Sequence, residues 1–290
     1  MESKSLPSIA TQEPAIRIDW INSAVIVLSP LLAIAGAIYA VRTSGFALVD
    51  LGILVAFFIL AGMGITVGYH RHFSHLSYEA HPVARFFMLV AGASALQNSA
   101  LAWASDHRDH HQFTDGPKDP YNINKGFFWA HMGWIFFQPV TPPDFANVKD
   151  LKRDPLVMWQ HRNYLAIAIL SGFVLPTLVG ALFGRALEGF VWGGLVRLVL
   201  VHHSTFLINS AAHIFGERHH SEATTARDSW WLPFISFGEG YHNYHHSYPS
   251  DYRNGVAWHH FDPSKWIIAT MEKIGLAWNL RRNRRQRAAA

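Results

Sequence analysis

Residues 46–75 read FALVDLGILVAFFILAGMGITVGYHRHFSH. From Phe46 to Tyr69 the stretch is almost wholly apolar, with Asp50 near its start. It is long enough to cross a hydrocarbon core of about 30 Å. The polarity then changes at once, and His70, His72 and His75 follow. A membrane span that ends in a histidine box predicts a helical membrane protein with chemistry at the span end. A second apolar run, Ile21 to Val41, lies before it between Arg17/Asp19 and Arg42. The short turn between the two runs predicts a helical hairpin. Tyr164 to Phe183 and Gly189 to Asn209 make a second pair, the latter carrying Arg197, His202 and His203. Buried polar groups in a span face the bundle interior. The expected spans are therefore 21–41, 46–69, 164–183 and 189–209.

Composition agrees. The chain has 290 residues, 50% hydrophobic and 15% charged, with 19 histidines and no cysteine. Zero cysteines exclude disulfides, CxxC redox motifs, thiolate iron–sulfur clusters and c-type haem attachment. Mean hydropathy is only +0.09, so a sizeable polar part accompanies the spans. The pI near 9.4 comes with a net charge of just +4 and suits basic loops beside a membrane better than nucleic acid. Residues 68–163 carry nine Lys and Arg and 210–290 carry ten, whereas the turns 42–47 and 184–188 carry one each. This asymmetry predicts both termini, and a cap built from 70–163 and 210–280, on the cytoplasmic side of one domain spanning 1–290. Residues 1–19 lack the pattern of a signal peptide. The run Arg281, Arg282, Arg284, Arg285 and Arg287 reads as a solvated basic segment near the membrane.

Three histidine clusters stand out: His70–His75, His107–His111 and His242–His246. The last two share the pattern HxxHH. Positions i, i+3 and i+4 share a helix face, so each is expected to present three imidazoles to one point. His70 and His75 are about 140° apart on an ideal α-helix. They are expected to reach two metal positions, unless the helix ends between them. With His72 set aside as out of its box's pattern, the eight remaining histidines of these boxes are too many for one ion, so a two-metal site is expected. All ligands must meet on one side of the membrane. The weaker segment Val83–Trp103, interrupted by Gln97-Asn98-Ser99, therefore cannot be a fifth span; it reads as interfacial or re-entrant. His213 emerges on the same side, four residues after Asn209, and spacing alone leaves ligand and structural readings both open. The other ten histidines read as solvated or hydrogen-bonded, with an outer supporting role open to His202 and His203.

Competing chemistries fit less well. Catalytic zinc keeps an open position on three protein ligands. The ExxH pairs Glu217/His220 and Glu239/His242 have the ferritin-like spacing, but no further buried carboxylates accompany them and glycines flank Glu239. Gly62-Met63-Gly64 and Gly68 mimic a dinucleotide loop from within a span. A transporter would place ligands at the midplane, not at span ends. With no haem or flavin motif, electrons must come from a separate protein.

The residues HRHFSH (70–75), DHRDHH (106–111), NSAAH (209–213) and GEGYHNYHH (238–246) resemble the integral-membrane fatty-acyl desaturases of the stearoyl-CoA type. So do DPYN (119–122), GFFWAHMGW (126–134) and YPSDYR (248–253). The resemblance covers roughly residues 17–270. It implies an all-α membrane fold, with four transmembrane helices in two hairpins and a cytoplasmic helical cap around two iron ions. The implied ligands are His70, His75, His107, His110, His111, His213, His242, His245 and His246. Asn209 matches the asparagine that holds a water at the metal pair. Gln97, Trp103 and Thr205 match residues at the bend of an acyl tunnel, and Asn98 one near the acyl head. The implied activity is O2-dependent insertion of a cis double bond, at Δ9, into an acyl chain held as acyl-CoA, on acyl-carrier protein or in a membrane lipid. A hydroxylase or ketolase is the alternative. The donor implied is a separate protein such as ferredoxin or cytochrome b5. Two departures are visible. Gln138-Pro139-Val140 stands where acyl-CoA-using relatives carry a basic pair, which favours an acyl-lipid or carrier-protein substrate. The stretch Gly216–His220 also differs from the family's usual sequence.

Overall fold

A computed structural model describes residues 15–283. Arg284, Arg285, Arg287 and the first fourteen residues lie outside the described part, so the reading of the basic tail reaches only Arg281 and Arg282. Four helices are long and apolar enough to cross a membrane: Trp20–Ser44, Leu48–Ser74, Tyr164–Ala181 and Ala186–His213. They match the four expected runs, and three of them continue past the expected ends. The second span reaches into the first histidine box, and the fourth includes His213. Asp19 caps the first span by accepting from the Asn22 N–H at 2.9 Å. Most of its leucines and isoleucines, Leu31, Leu32, Ile34 and Ile38 among them, face outward as a lipid-facing surface would, and Ile26 turns inward.

The two hairpins are tied together at their turns. Arg185 grips the buried Asp50 with both arms, Nε to Oδ1 at 2.8 Å and Nη2 to Oδ2 at 2.7 Å, and also donates to the Gly45 carbonyl. Asp50 is thus a paired buried charge rather than a defect in the span.

The segment Val83–Trp103 does not cross. Helix Pro82–Ala93 has 12 residues, too short for the hydrocarbon core, and a turn follows before helix Ala100–Phe113. Gln97-Asn98-Ser99 is that turn. Asn98 adopts a left-handed φ of 77°, and the Ser99 hydroxyl caps the next helix by accepting from Ala102 N. The Arg197 guanidinium, wholly buried in the fourth span, holds the turn by donating to the Ser94 and Gly172 carbonyls at 2.6 Å each.

Helix Pro82–Ala93 packs directly on the second span, and small residues make this possible. A Cβ on Gly64 would lie 2.2 Å from the Gly92 nitrogen. The span glycines therefore serve close helix contact, not a nucleotide. Gly64→Val is expected to lower the thermal midpoint of the detergent-solubilised protein by several degrees, in keeping with about 1–3 kcal/mol of overpacking. An unchanged midpoint would show that this contact is not tight.

Two short antiparallel ribbons modify the all-α expectation. Ile16–Ile18 pairs with Phe137–Pro139, and Glu79–Ala80 with Ala277–Trp278. Each ties a segment near one end of the described chain to the polar half.

Candidate metal centre

The nine histidines come from four places: the end of the second span, helix Ala100–Phe113, the end of the fourth span and the short helix His242–Ser247. Folding gathers them into two groups. One holds His70, His75, His107, His111 and His245; the other holds His110, His213, His242 and His246. Within each group one ring nitrogen per residue lies within 4.8 Å of all the others.

Two sequence-level expectations change here. First, an HxxHH cluster does not aim three rings at one point. His107 and His111 enter the first group and His110 the second, while His242 and His246 enter the second and His245 the first. Adjacent residues on a helix are about 100° apart, so the i+3 and i+4 rings diverge while i and i+4 stay together. Each HxxHH cluster therefore spans both groups. Second, His70 and His75 share a group. The stretch Gly64–Ser74 is wound as a π-helix, and the His75 N–H donates to the His70 carbonyl at 3.1 Å. An i→i+5 pattern stacks residue i+5 close to residue i, which the α-helical angle did not anticipate.

The donor set fits metal ions. Nε2 atoms face each other at 2.8 Å for His75 and His107, and at 3.0 Å for His245 with both His70 and His111. In the second group the Nε2 of His242 lies 3.2 Å from that of His213 and 3.1 Å from that of His246. Burial, together with neighbouring imidazoles, pushes His75, His107, His111, His242, His245 and His246 well below the usual histidine range. These rings are neutral, the form that binds metal. Facing lone pairs of neutral imidazoles repel unless a cation lies between them. An all-nitrogen set suits iron, zinc or copper and not magnesium or calcium.

Groups behind the histidines set their tautomers. Asp119 lies 2.8 Å from the His110 Nδ1 and Glu239 lies 2.9 Å from that of His70. Thr225, itself donating to Asp115, lies 2.7 Å from the His213 Nδ1. A hydrogen-bonded carboxylate, as at His110, holds the proton on Nδ1 and turns the Nε2 lone pair inward, and the Glu239 charge beside the His70 ring favours the same tautomer. Glu239 is thus no ligand of a ferritin-like pair. Burial raises its pKa, but Arg71 and His70 more than offset this and keep it ionised. Sequence reasoning missed Glu239, Asp119 and Thr225 in this role. The only local signals were their places inside or beside the motifs, because the contacts are long-range.

The residues expected at the bend, Gln97, Trp103 and Thr205, also meet. Gln97 donates through Nε2 to the Thr205 hydroxyl at 2.9 Å and accepts at Oε1 from the Trp103 indole N–H at 3.4 Å. Trp103 stacks on His107, with ring centres 4.9 Å apart. Three elements thus join into one hydrogen-bonded wall against the first histidine group. Asn98 stands exposed at the turn and receives no histidine; its backbone N–H donates to the Tyr164 hydroxyl. Asn209 lies one helical turn before His213, half-buried, and its amide has no hydrogen bond to another described residue.

None of the other ten histidines joins either group. His72 lies 3.1 Å from the Tyr78 carbonyl and His202 2.8 Å from that of Ala95. His203 contacts His131 at 2.9 Å and His161 contacts Ser99 at 2.7 Å. His202 and His203 have no contact with the nine.

Comparison with known proteins bears directly on this site. The sequence profile "Fatty acid desaturase" matches residues 44–282. The chain belongs to the fatty acid desaturase family. All nine clustered histidines lie inside the matched range. A probable acyl-CoA desaturase of Schizosaccharomyces pombe is 40% identical over 265 residues, covering 91% of this chain and 54% of the relative. Acyl-CoA desaturase 1 of Saccharomyces cerevisiae is 36% identical over 272 residues, covering 91% and 52%. The chain thus spans about half the length of these two yeast family members. An sn-1 stearoyl-lipid 9-desaturase of Anabaena variabilis is 33% identical over 267 residues, covering 91% of this chain and 94% of the relative.

Proposed function

We propose that this protein is an O2-dependent fatty-acyl desaturase that inserts a cis double bond, at Δ9, into a saturated acyl chain. The observation that carries the reading is the pair of all-histidine groups walled on one side by the Gln97–Trp103–Thr205 set. Overall, one CH2–CH2 unit, O2, two electrons and two protons would give CH=CH and two waters. The nine histidines are the proposed ligands of two iron ions, which when bound would supply the O2 reduction that removal of hydrogen from an unactivated methylene requires.

The chain's own residues would position and shield. Trp103, stacked on His107, would close the site against water beside the reacting carbons. Gln97 and Thr205, locked by their hydrogen bond, would bend the acyl chain so that one pair of carbons faces the centre in cis geometry. Asn98 at the exposed turn would lie towards the acyl head, and the free amide of Asn209 would hold a water near the centre. Gln97→Ala removes two contacts of this wall. It is expected to cut turnover about tenfold, or ~1.4 kcal/mol of barrier, and to spread the double-bond position. One unaltered product at full rate would remove the bend from these residues.

Relatives carry names of both acyl-CoA and stearoyl-lipid desaturases. Gln138, in the place of the family's basic pair, favours an acyl-lipid or carrier-protein substrate over acyl-CoA; its strand partner is Arg17. Electrons would come from a separate donor such as ferredoxin or cytochrome b5. The Lys and Arg asymmetry supports cytoplasmic termini and a cytoplasmic metal site as parts of the same domain. Expression in a desaturase-deficient host, with double-bond position and lipid class read by gas chromatography–mass spectrometry, tests the whole reading. A new Δ9 monoene is expected; a hydroxylated product without alkene would overturn it.

A further inference from the structure

Behind the five-histidine group lies a charged cluster that metal ligation does not use. Arg71, Glu239 and Asp262 are 1%, 2% and 0% exposed. Arg71 belongs to the first histidine box and Glu239 lies three residues before the third. The Glu239 Oε1 accepts from both Arg71 Nε, at 3.1 Å, and Nη2, at 2.9 Å. Arg71 also donates to Asp262 at 3.1 Å and to the Tyr252 carbonyl at 2.8 Å. Asp262 in turn accepts backbone N–H groups of Asn254, Gly255 and Lys265.

Two features separate this from a plain buried ion pair. Asp262 already faces the guanidinium, so Glu239 is not its sole counter-ion. The second Glu239 oxygen turns away from Arg71 and lies 2.9 Å from the His70 Nδ1, where the Asn254 amide also donates to it. The backbone around Glu239 is held hard. Gly238 has a φ of +98°, and a Cβ there would lie 2.5 Å from Asp262 Oδ1; one on Gly240 would lie 2.5 Å from Pro233 Cδ. Glycine on either side of Glu239 lets its carboxylate reach a fixed place.

We propose that Glu239, clamped by Arg71, is the positioning residue of the five-histidine group: it orients His70, fixes the first box against the third before any metal binds, and supplies a negative charge to that group alone. The inference rests on the metal-binding reading above. Its counterpart in the four-histidine group is Asp119, which contacts His110 and does not touch this cluster. The two metal positions are therefore tuned by separate carboxylates.

The test uses the full chain in detergent, stripped with chelator and titrated with Co2+ against a competing chelator. The readouts are bound cobalt, its visible absorption and the thermal midpoint of the metal-free protein. Wild type is expected to take up two ions. Glu239→Gln is expected to keep one ion unchanged and to bind the other about 10–100-fold more weakly, with an altered absorption band. Glu239→Asp, which keeps the charge but withdraws the oxygen, is expected to weaken the same ion and carries the test should Glu239→Gln fail to fold. Unchanged affinity and spectrum in both variants would overturn the proposal. So would equal weakening of both ions, or failure of both variants to fold, since either makes Glu239 part of the general scaffold. A wild-type protein that takes up no cobalt would instead remove the metal-binding reading itself.

Discussion

Replacing His245 with alanine is expected to leave the protein with about one bound metal in place of two and to lower desaturation at least a thousandfold. The reason is its central place. Its Nε2 lies 3.0 Å from those of both His70 and His111, so it joins the first box to the second. Removing it takes a ligand from the middle of the group and leaves its neighbours' lone pairs facing a cavity. A thousandfold loss is about 4 kcal/mol of transition-state stabilisation. Metal analysis and product formation by gas chromatography read the two effects. His259→Ala is the control, because His259 is exposed and outside both groups. Full turnover by the His245→Ala protein would remove the assignment of this site.

Arg197→Ala is expected to destabilise the fold by about 3–5 kcal/mol. Its guanidinium is a buried cation inside the bundle, and its acceptors are the carbonyls of Gly193, Ser94 and Gly172. Those of Ser94 and Gly172 belong to other segments, and alanine would leave them without this donor in a dry interior. The damage would also reach the site. Ser94 opens the turn that carries Gln97, so loosening it should blur the double-bond position in whatever protein survives. Arg197→Lys is expected to be intermediate, because a single ammonium cannot span the same carbonyls as a planar fork. Thermal unfolding in detergent and product analysis check this. An Arg197→Ala protein with wild-type stability and a single product would show that the turn is held by other contacts.

Much of the architecture was legible in the chain. Four apolar runs near 20 residues long are a one-dimensional signal, and lipid imposes it strongly because every backbone polar group must be satisfied within the span. The short Val83–Trp103 segment could be rejected as a span by requiring the boxes to lie on one side. The gathering of His70 with His75 was not legible, because the α-helical period does not hold where the second span is wound as a π-helix.

The sequence by itself singled out four spans, three histidine boxes, the first of them at the end of the second span, and a family resemblance tied to particular residues. These are local patterns of polarity, spacing and residue type. Only the tertiary structure decided how nine histidines divide into groups of five and four, and which carboxylate stands behind each. His70 meets His245 across 175 residues, and Arg71 meets Glu239 across 168. Helical periodicity sets the direction of a side chain relative to its own axis. It says nothing of where another axis lies, and ligand sharing depends on that distance.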